Sequence, residues 1–222
     1  MSIDDRPAAG KDLHDGLTPT VLTPSVLDFP SYEGRDRFWL PEQWLELYLK
    51  EGLRIIPLYG AHESDGTYNS KKPGYPKWQK FIPSRDELLT AIYEKQKMWG
   101  CVCGSVSGNL KIVDYDLYKI LDSKEKAVQW RKENIGPLRS LDTLVTFTPR
   151  GGFHVWLRTR RPGLQTRAIS RVVKAIPWDI DLVRGDGGMV VVPPSKIKDV
   201  GNYWFLDDTK IRRRGKLGIR II

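Results

Sequence analysis

Three apolar runs in the 222-residue chain each carry residues that could bind metal or phosphate. The first ends in Asp114 and Asp116, the second carries His154 behind two glycines, and the third passes through Asp179 and Asp181. Residues i and i+2 of a strand point to the same face, so Asp114 and Asp116 are expected to project together. Neighbouring carboxylates repel each other unless a cation lies between them, and all-oxygen ligands favour Mg²⁺ or Mn²⁺. The alternative for this motif is a pair of turn aspartates at a strand end.

A glycine-rich loop at the start of the second run is suited to binding anions. Gly151 and Gly152 would allow backbone amides to approach a ligand closely, and consecutive amides form an anion-binding nest. Arg150 and His154 would add charge or hydrogen bonds to a phosphate. A hairpin turn with one satisfied histidine explains the same residues equally well.

The third run places Asp181 among apolar residues, where an unpaired carboxylate is costly. A metal ion would offset this cost, and an ion pair with Arg184 is the alternative. Asp179 lies two residues earlier and would share a face of a regular strand, so it stays an alternative acidic ligand. A turn at Asp186-Gly187-Gly188 then leads into a short apolar strand that ends at a Pro-Pro pair.

These three blocks, in this order, resemble the bifunctional primase–polymerase (prim-pol) branch of the archaeo-eukaryotic primase superfamily. The shared pattern is an aspartate pair after an apolar strand, a Gly-Gly-x-His loop, and a third acidic residue before a Gly-rich turn and Pro-Pro-Ser. The resemblance extends upstream to Lys71-Lys72-Pro73, to Trp78-Gln79 and to the Gly-rich stretch 100–110. It covers residues 38–195, which is most of the chain.

The resemblance implies an α+β fold in which an RRM-like catalytic sheet packs with a smaller N-terminal α/β unit, the active site lying in the cleft between them. A catalytic domain is expected over residues 38–209, with an α/β part at 38–108 and an RRM-like part at 109–209. Residues 1–37 are predicted as a flexible tail, because Pro, Gly, Thr and Asp are scattered there without periodicity. Residues 210–222 are predicted as a basic C-terminal extension, either touching nucleic acid or forming a solvated strand end.

The activity that the resemblance implies is template-directed nucleotidyl transfer, as a DNA primase and DNA polymerase with a two-metal mechanism, in plasmid or viral replication. Asp114, Asp116 and Asp181 would hold Mg²⁺ or Mn²⁺, and His154 would contact the triphosphate of the incoming nucleotide. The expected partners are a single-stranded DNA template and nucleoside triphosphates, with a helicase module in cis or in trans as a further candidate. The other nucleotide-pocket candidates are Arg150, Gly151, Gly152, Ser107, Gly108 and Lys72.

Two other function classes stay open from the residues alone. A metal-dependent nuclease would use similar carboxylates but would need no triphosphate loop. A non-catalytic single-strand-binding module would place aromatic residues such as Tyr115 and Phe153 on central strands, although the carboxylates between them would repel phosphate without metal. Residues 60–80 interleave lysines with Tyr68, Tyr75 and Trp78, a composition typical of a single-strand-binding loop and explained equally well by a solvated surface loop.

Composition limits the cellular setting and the partners. The net charge is +9; residues 1–30 carry −3, so the remainder carries +12, which suits a polyanionic partner or a generic lysine-rich surface. The apolar runs are too short for a membrane span or a signal peptide, so a cytoplasmic protein without a membrane partner is expected. Cys101 and Cys103 provide neither a disulfide framework nor a four-ligand zinc site, and both are expected to be packing residues.

Local signals predict the elements that must position these residues. An amphipathic helix is expected over 40–49 and a buried strand over 53–58, and a capping box of Ser84 and Glu87 begins a second helix. The remaining predicted helices are 123–134 and 165–176, and the remaining predicted strands are 99–106, 110–114, 144–147, 153–159 and 189–192.

Overall fold

The computed structural model of the chain describes residues 40–58, 71, 73, 75–93, 98–160, 162, 183–197 and 200–222. The predicted tail 1–37, the predicted helix 165–176 and the candidate residues Lys72, Asp179 and Asp181 lie outside this part of the chain. The described residues form a mixed α+β fold, which confirms the expected class. No helix among them is long and apolar enough to cross a membrane.

The strands and helices alternate irregularly along the described residues. The strands are β1 Arg54–Pro57, β2 Trp99–Val102, β3 Leu110–Tyr115, β4 Val145–Phe147, β5 Phe153–Arg158, β6 Val183–Arg184, β7 Met189–Val192, β8 Lys196–Ile197, β9 Gly201–Asn202, β10 Trp204–Phe205 and β11 Arg220–Ile221. The helices are α1 Pro41–Lys50, α2 Arg85–Tyr93, α3 Leu117–Ile120, α4 Lys124–Glu133, α5 Ile135–Ser140 and α6 Asp208–Arg214, with a 3₁₀ turn at Ser105–Ser107.

Side-chain caps begin two of the helices. The Ser84 amide donates to Glu87 Oε2 at 2.7 Å and the Glu87 amide donates to Ser84 Oγ at 3.2 Å, so the predicted capping box before α2 is confirmed. At the start of α4, Ser123 Oγ accepts from the Lys126 amide. These caps satisfy amides that have no partner inside the helix, and they fix where each helix leaves the preceding loop.

A three-stranded antiparallel sheet, in the order β1-β2-β7, forms the N-terminal side of the core. Ile55 and Cys101 lie on its first face and share a buried cluster with α1 and with Trp156 of β5. Ile56 and Val102 lie on its other face and pack in a second cluster. Both faces of this sheet are therefore covered, which fits its apolar sequences.

The larger sheet has the order β10-β4-β5-β3-β6, with β11 pairing with β5 beside this path. Side-chain alternation along β3 sends Ile112 into the cluster with α1, and sends Val113 and Tyr115 into a third cluster with α4 and α5. The face of β3 that carries Ile112 also carries Asp114, the last residue of that face within the strand. The first carboxylate is thus positioned where the core between the two sheets ends.

The predicted basic C-terminal extension is built into the fold. Residues 208–214 form α6, and Ile211 and Leu217 are buried in the cluster with α1. Strand β11 follows and pairs in parallel with the end of β5. The segment has exposed basic side chains, as its composition predicts, but Ile211 and Leu217 belong to the core, while Ile221 is exposed.

The two cysteines are packing residues, as expected. Cys101 and Cys103 are both free and buried. Burial, with a smaller effect of the neighbouring Cys103, raises the pKa of the Cys101 thiol well above its usual range. Burial likewise raises the pKa of Cys103 to about 12. Neither thiol is ionised at neutral pH.

We expect neither cysteine to react with a thiol reagent such as DTNB at pH 8 while the protein is folded, because the thiolate is the reactive form and both groups are buried. Both thiols should react at once in guanidinium chloride, which serves as the control. Rapid labelling of the native protein would contradict the packing of β2.

Candidate active site

The carboxylate of Asp114 joins three neighbouring strands at the edge of the core. Asp114 of β3 is the direct cross-strand partner of His154 in β5, and His154 Nε2 lies 3.4 Å from Asp114 Oδ1. Arg184 of β6 donates from Nη2 to Asp114 Oδ2 at 3.2 Å. The Asp114 side chain is only 11% exposed, so His154 and Arg184 provide the polar contacts that water would otherwise make with its carboxylate.

The surroundings keep Asp114 ionised. Burial by itself would raise the pKa of its carboxyl, but the hydrogen bond and charge of His154, together with Arg184, lower the pKa to about 2. The carboxylate form is therefore present at any physiological pH, and all its lone pairs are available for cationic partners.

Asp116 begins a different element. Strand β3 ends at Tyr115, and Asp116 is the N-cap residue of α3. Its half-exposed carboxylate pairs with Lys119 of the same helix, Nζ to Oδ2 being 2.7 Å. The prediction that Asp114 and Asp116 belong to one regular strand is therefore wrong by one residue, because the chain turns into a helix directly after Tyr115.

The two carboxylates are nevertheless close enough to act electrostatically on the same cation, Lys71. Burial lowers the pKa of the Lys71 ammonium, while the charges of Asp116 and then Asp114 raise it. Arg150 and Arg184 act on the same ammonium in the opposite direction. The Lys71 ammonium thus interacts electrostatically with two carboxylates and two guanidinium groups.

The glycine loop is a tight turn between β4 and β5. The Gly151 amide donates to the carbonyl of Thr148 at 3.1 Å, so it is used within the turn. A Cβ on Gly151 would lie 2.8 Å from the Cβ of Ala127 in α4, and a Cβ on Gly152 would lie 2.3 Å from the carbonyl oxygen of Tyr115. The glycines thus allow the turn to pack against α4 and against the end of β3.

Arg131 of α4 is hydrogen-bonded to the backbone of this turn. Its side chain is buried, lies 4.7 Å from the ring of Phe147, and donates from Nη1 to the carbonyls of Thr148 and Gly152. Burial lowers the pKa of Arg131 to about 10, which still leaves the guanidinium charged at neutral pH. Sequence inspection did not single out this residue, since its role depends on the packing of α4 against the turn.

His154 follows the turn and is held inside the protein. Only 5% of its surface is exposed, and the ring of Tyr203 lies 6.3 Å away. Within the described part of the chain, Nδ1 of His154 is buried and has no hydrogen-bond partner. A buried polar atom without a partner destabilises the fold. A ligand group or a bound water that hydrogen-bonds to this nitrogen would remove that cost.

Comparison with protein families identifies the chain at this point. The model of the family described as bifunctional DNA primase/polymerase, N-terminal, matches residues 45–216, which span α1 to α6. The chain belongs to this family. Membership indicates primase/polymerase activity, with DNA and nucleotides as substrates, in enzymes that are generally metal-dependent. No curated protein matches the chain.

Two weaker nucleotide-pocket candidates have structural roles in this primase/polymerase domain. Ser107 is fully buried, its hydroxyl donating to the Val102 carbonyl at 2.6 Å and accepting from the Arg54 amide at 2.9 Å. Gly108 has a positive φ of 67° and precedes β3. From Leu110, where β3 begins, to Asp114 is about 13 Å along the strand. A contact of Ser107 or Gly108 with nucleotide stays a prediction of the family resemblance.

Several charged residues of the site were not predicted. Lys71 of the Lys-Lys-Pro segment interacts electrostatically with both carboxylates, whereas the predicted Lys72 lies outside the described residues. Arg184 was assigned to Asp181 as a candidate ion-pair partner, and the structure pairs it with Asp114. Lys119 follows Asp116 at the helical spacing of three, which is a local signal that the strand assignment hid.

The acidic residues suit a hard divalent cation by their chemistry. Asp114 is held ionised, and both carboxylates are paired with cationic side chains, which shows that the site requires compensating positive charge. Among the described residues, no group of three or more acidic, histidine or cysteine side chains could hold a metal ion. Asp181, the third ligand that the family resemblance implies, lies outside them.

Asp114→Asn should destabilise the metal-free protein by about 2 kcal/mol at pH 7, since the depressed pKa measures how strongly the fold stabilises the carboxylate. Carboxylate repulsion alone would instead make its removal neutral or slightly stabilising. The contribution is fully present above the unfolded-state pKa of about 4 and is lost as pH falls towards 2. Urea unfolding in EDTA at pH 7 and pH 2.5 would measure both effects.

Asp116→Asn is the matched control, because its pair with Lys119 is exposed and worth little. Equal stability losses for the two variants, or a loss for Asp114→Asn that does not shrink in acid, would contradict the ion-pair assignment.

Proposed function

We propose that the chain catalyses template-directed nucleotidyl transfer, as a DNA primase and DNA polymerase acting in replication. The observation that carries this proposal is the ionised Asp114 paired with His154 and Arg184 at one edge of the core, with the charges of Asp116 and Asp114 both acting on Lys71. Acidic residues able to bind cations, surrounded by basic residues able to bind phosphate, are what phosphoryl chemistry on a nucleotide requires.

Asp114, Asp116 and Asp181 would hold two Mg²⁺ or Mn²⁺ ions. When bound, these ions would lower the pKa of a primer 3′-hydroxyl and neutralise charge on the α-phosphate and the leaving pyrophosphate. Because the pKa of Asp114 is lowered to about 2, its carboxylate would bind a cation without a prior deprotonation step. Asp116, at the N-cap of a short helix and half-exposed, is free to exchange Lys119 for another cation.

The basic residues around the carboxylates would bind the triphosphate. Arg150 is exposed beside the ring of Tyr118, and the Lys71 ammonium interacts electrostatically with both carboxylates, so each could pair with phosphate oxygens. His154 would form a hydrogen bond to the triphosphate through the buried Nδ1 or through Nε2, the atom that lies 3.4 Å from Asp114 Oδ1 in this structure. Lys72 and the Gly152 amide stay predictions of the family resemblance.

We also assign the larger sheet to an RRM-like βαββαβ arrangement. The sheet neighbours run β4-β5-β3-β6, every pair among them is antiparallel, and α4 and α5 lie between β3 and β4 in the chain. This is the order expected of a split βαβ sheet. On this assignment residues 109–209 form the catalytic part and residues 38–108 the N-terminal α/β part.

The decisive experiment is synthesis on an unprimed single-stranded DNA template with labelled nucleotides and either Mg²⁺ or Mn²⁺. We expect labelled products that EDTA abolishes, and no products from Asp116→Asn. Asp122→Asn is the matched control, because it removes an exposed carboxylate six residues away in a turn with a positive φ that Asn tolerates. Synthesis only from an annealed primer would restrict the activity to polymerisation.

The same reactions separate the other function classes. Metal-dependent loss of the template without any need for nucleotides would identify a nuclease and overturn the proposal. Template binding that survives EDTA, with no synthesis on primed or unprimed DNA, would identify a binding module and would also overturn it.

His154→Ala should raise the KM for nucleotide by roughly tenfold or more, the magnitude of a lost hydrogen bond to a charged group. Affinity for single-stranded DNA in EDTA should stay within about twofold of the parent, because the lost contact is to triphosphate. Nucleotide titrations with a primed template, together with DNA-binding measurements, would test this. Parental KM and rate would mean that the Gly-Gly-x-His loop is only a turn.

A further inference from the structure

The segment from Tyr75 to Phe81 carries a pair of stacked rings that the proposed catalytic site does not use. The Tyr75 and Phe81 ring centroids are 4.0 Å apart, with 23° between the ring planes. Both residues are only half-buried, and Lys77 and Lys80 between them are exposed. We call Tyr75, Lys77, Lys80 and Phe81 the aromatic platform.

The platform rings lie outside the hydrophobic core. Trp78, between the two rings in sequence, packs against the cluster on the outer face of the small sheet. Neither Tyr75 nor Phe81 belongs to any of the three clusters formed by the described residues. One aromatic side chain therefore anchors the segment, while the other two form a stack that the core does not need.

The backbone holds the platform in a defined turn. The Lys80 amide donates to the Lys77 carbonyl at 2.9 Å, and the Phe81 amide donates to the Trp78 carbonyl at 3.2 Å. Arg54 of β1 donates from Nη1 to the carbonyl of Gln79 at 3.3 Å. The turn is thus tied to the small sheet through both its tryptophan and its backbone.

Both lysines of the platform are available to an external anion. Among the described residues, Lys77 and Lys80 have no carboxylate within ion-pair distance. Lys77 lies at the tip of the turn, with a positive φ of 55°. Two exposed ammonium groups beside partly exposed rings combine charge for a phosphate backbone with π-surface for bases.

The platform lies close along the chain to the acidic pair. The charges of Asp116 and Asp114 act on Lys71, Pro73 forms a β-bridge with Leu58 at the end of β1, and Tyr75 follows two residues later. Four residues of extended chain span at most about 14 Å. The Cα atom of Tyr75 therefore lies within about 14 Å of the Cα atom of Lys71, the residue on which both carboxylate charges act.

The apolar surface continues past the rings. Ile82, directly after Phe81, is 72% exposed, and it lines a cleft of about 150 Å³ together with Leu49, Arg54 and Val106. An exposed large aliphatic side chain beside an open cleft gives room for further flat or apolar groups.

We infer that the aromatic platform binds the single-stranded template beside the active site, with bases stacking on Tyr75 and Phe81 and backbone phosphates pairing with Lys77 and Lys80. A single strand fits because it offers unpaired bases and phosphates together, whereas a duplex conceals its base faces. Naming this strand the template rests on the proposed function. Binding of a single strand to the platform does not.

The test measures binding without catalysis. Fluorescence anisotropy of a labelled 20-nucleotide single strand with the full chain in EDTA should show about tenfold weaker binding for Tyr75→Leu/Phe81→Leu, the scale of losing stacking with one base. Tyr75→Phe/Phe81→Tyr keeps both rings and should bind as the parent does. Melting temperatures of all variants report whether the fold is intact.

The lysines have their own matched control. Lys77→Ala/Lys80→Ala should weaken binding and reduce the slope of log affinity against log salt by about 1.4, which is two single-strand phosphate contacts. Lys126→Ala/Lys132→Ala removes the same charge from exposed positions of α4, a helix that packs on the other face of the larger sheet. This control should leave both the affinity and the salt slope close to parental values.

Primer extension identifies the strand. With a primed template, platform variants should lose more activity on a ten-nucleotide template overhang than on a one-nucleotide overhang, mainly through a higher KM for DNA. Parental binding by the leucine variant, or a loss equal to that of the α4 control, would overturn the inference even if the enzyme polymerises. Weak binding by the platform variants in a protein that synthesises nothing would refute the proposed function and leave single-strand binding intact.

Discussion

The ionised carboxylate of Asp114 is the constraint on which the site depends. It lies on the inner face of the larger sheet, where a charge is tolerated only with partners, and these come from the strands on either side. His154 and Arg184 can reach it only when β5 and β6 are both paired with β3. Compensation of this buried charge therefore requires strand pairing, and the candidate site can form only together with the sheet.

The surrounding charges explain how an acidic site can receive an anionic substrate. An isolated carboxylate pair would repel both nucleotide and DNA, but here Lys71, Arg150 and Arg184 interact across the same region. Lys119 compensates Asp116 at close range. In the metal-free protein these cations balance the carboxylates, and in a loaded enzyme the same side chains would be available to phosphate. The site can therefore exchange partners without leaving a buried charge uncompensated.

Local patterns predicted most of the elements and the residues at the centre of the site. Apolar runs located β3 and β5 and gave Asp114 and His154, while a capping box located the start of α2. What these patterns missed depends on contacts distant in sequence. The pairing of Arg184 with Asp114 and the hydrogen bonds of Arg131 to the turn both require the assembled sheet. Two-residue strands such as β10 and β11 are too short to show an alternating sequence pattern. The end of β3 at Tyr115 is set by the helix that follows it.

The crowded glycine of the β4–β5 turn also decides which alignment of strands the chain can adopt. Gly152 lies against the Tyr115 carbonyl because it has no Cβ, and that contact exists only when Tyr115 faces Phe153. A slip of one residue would turn His154 towards α4 and leave the carboxylate of Asp114 facing an apolar side chain. During folding, misaligned hairpins would therefore lose both the close backbone contact and the ion pair, so a residue that resembles a ligand-binding glycine also selects the native register.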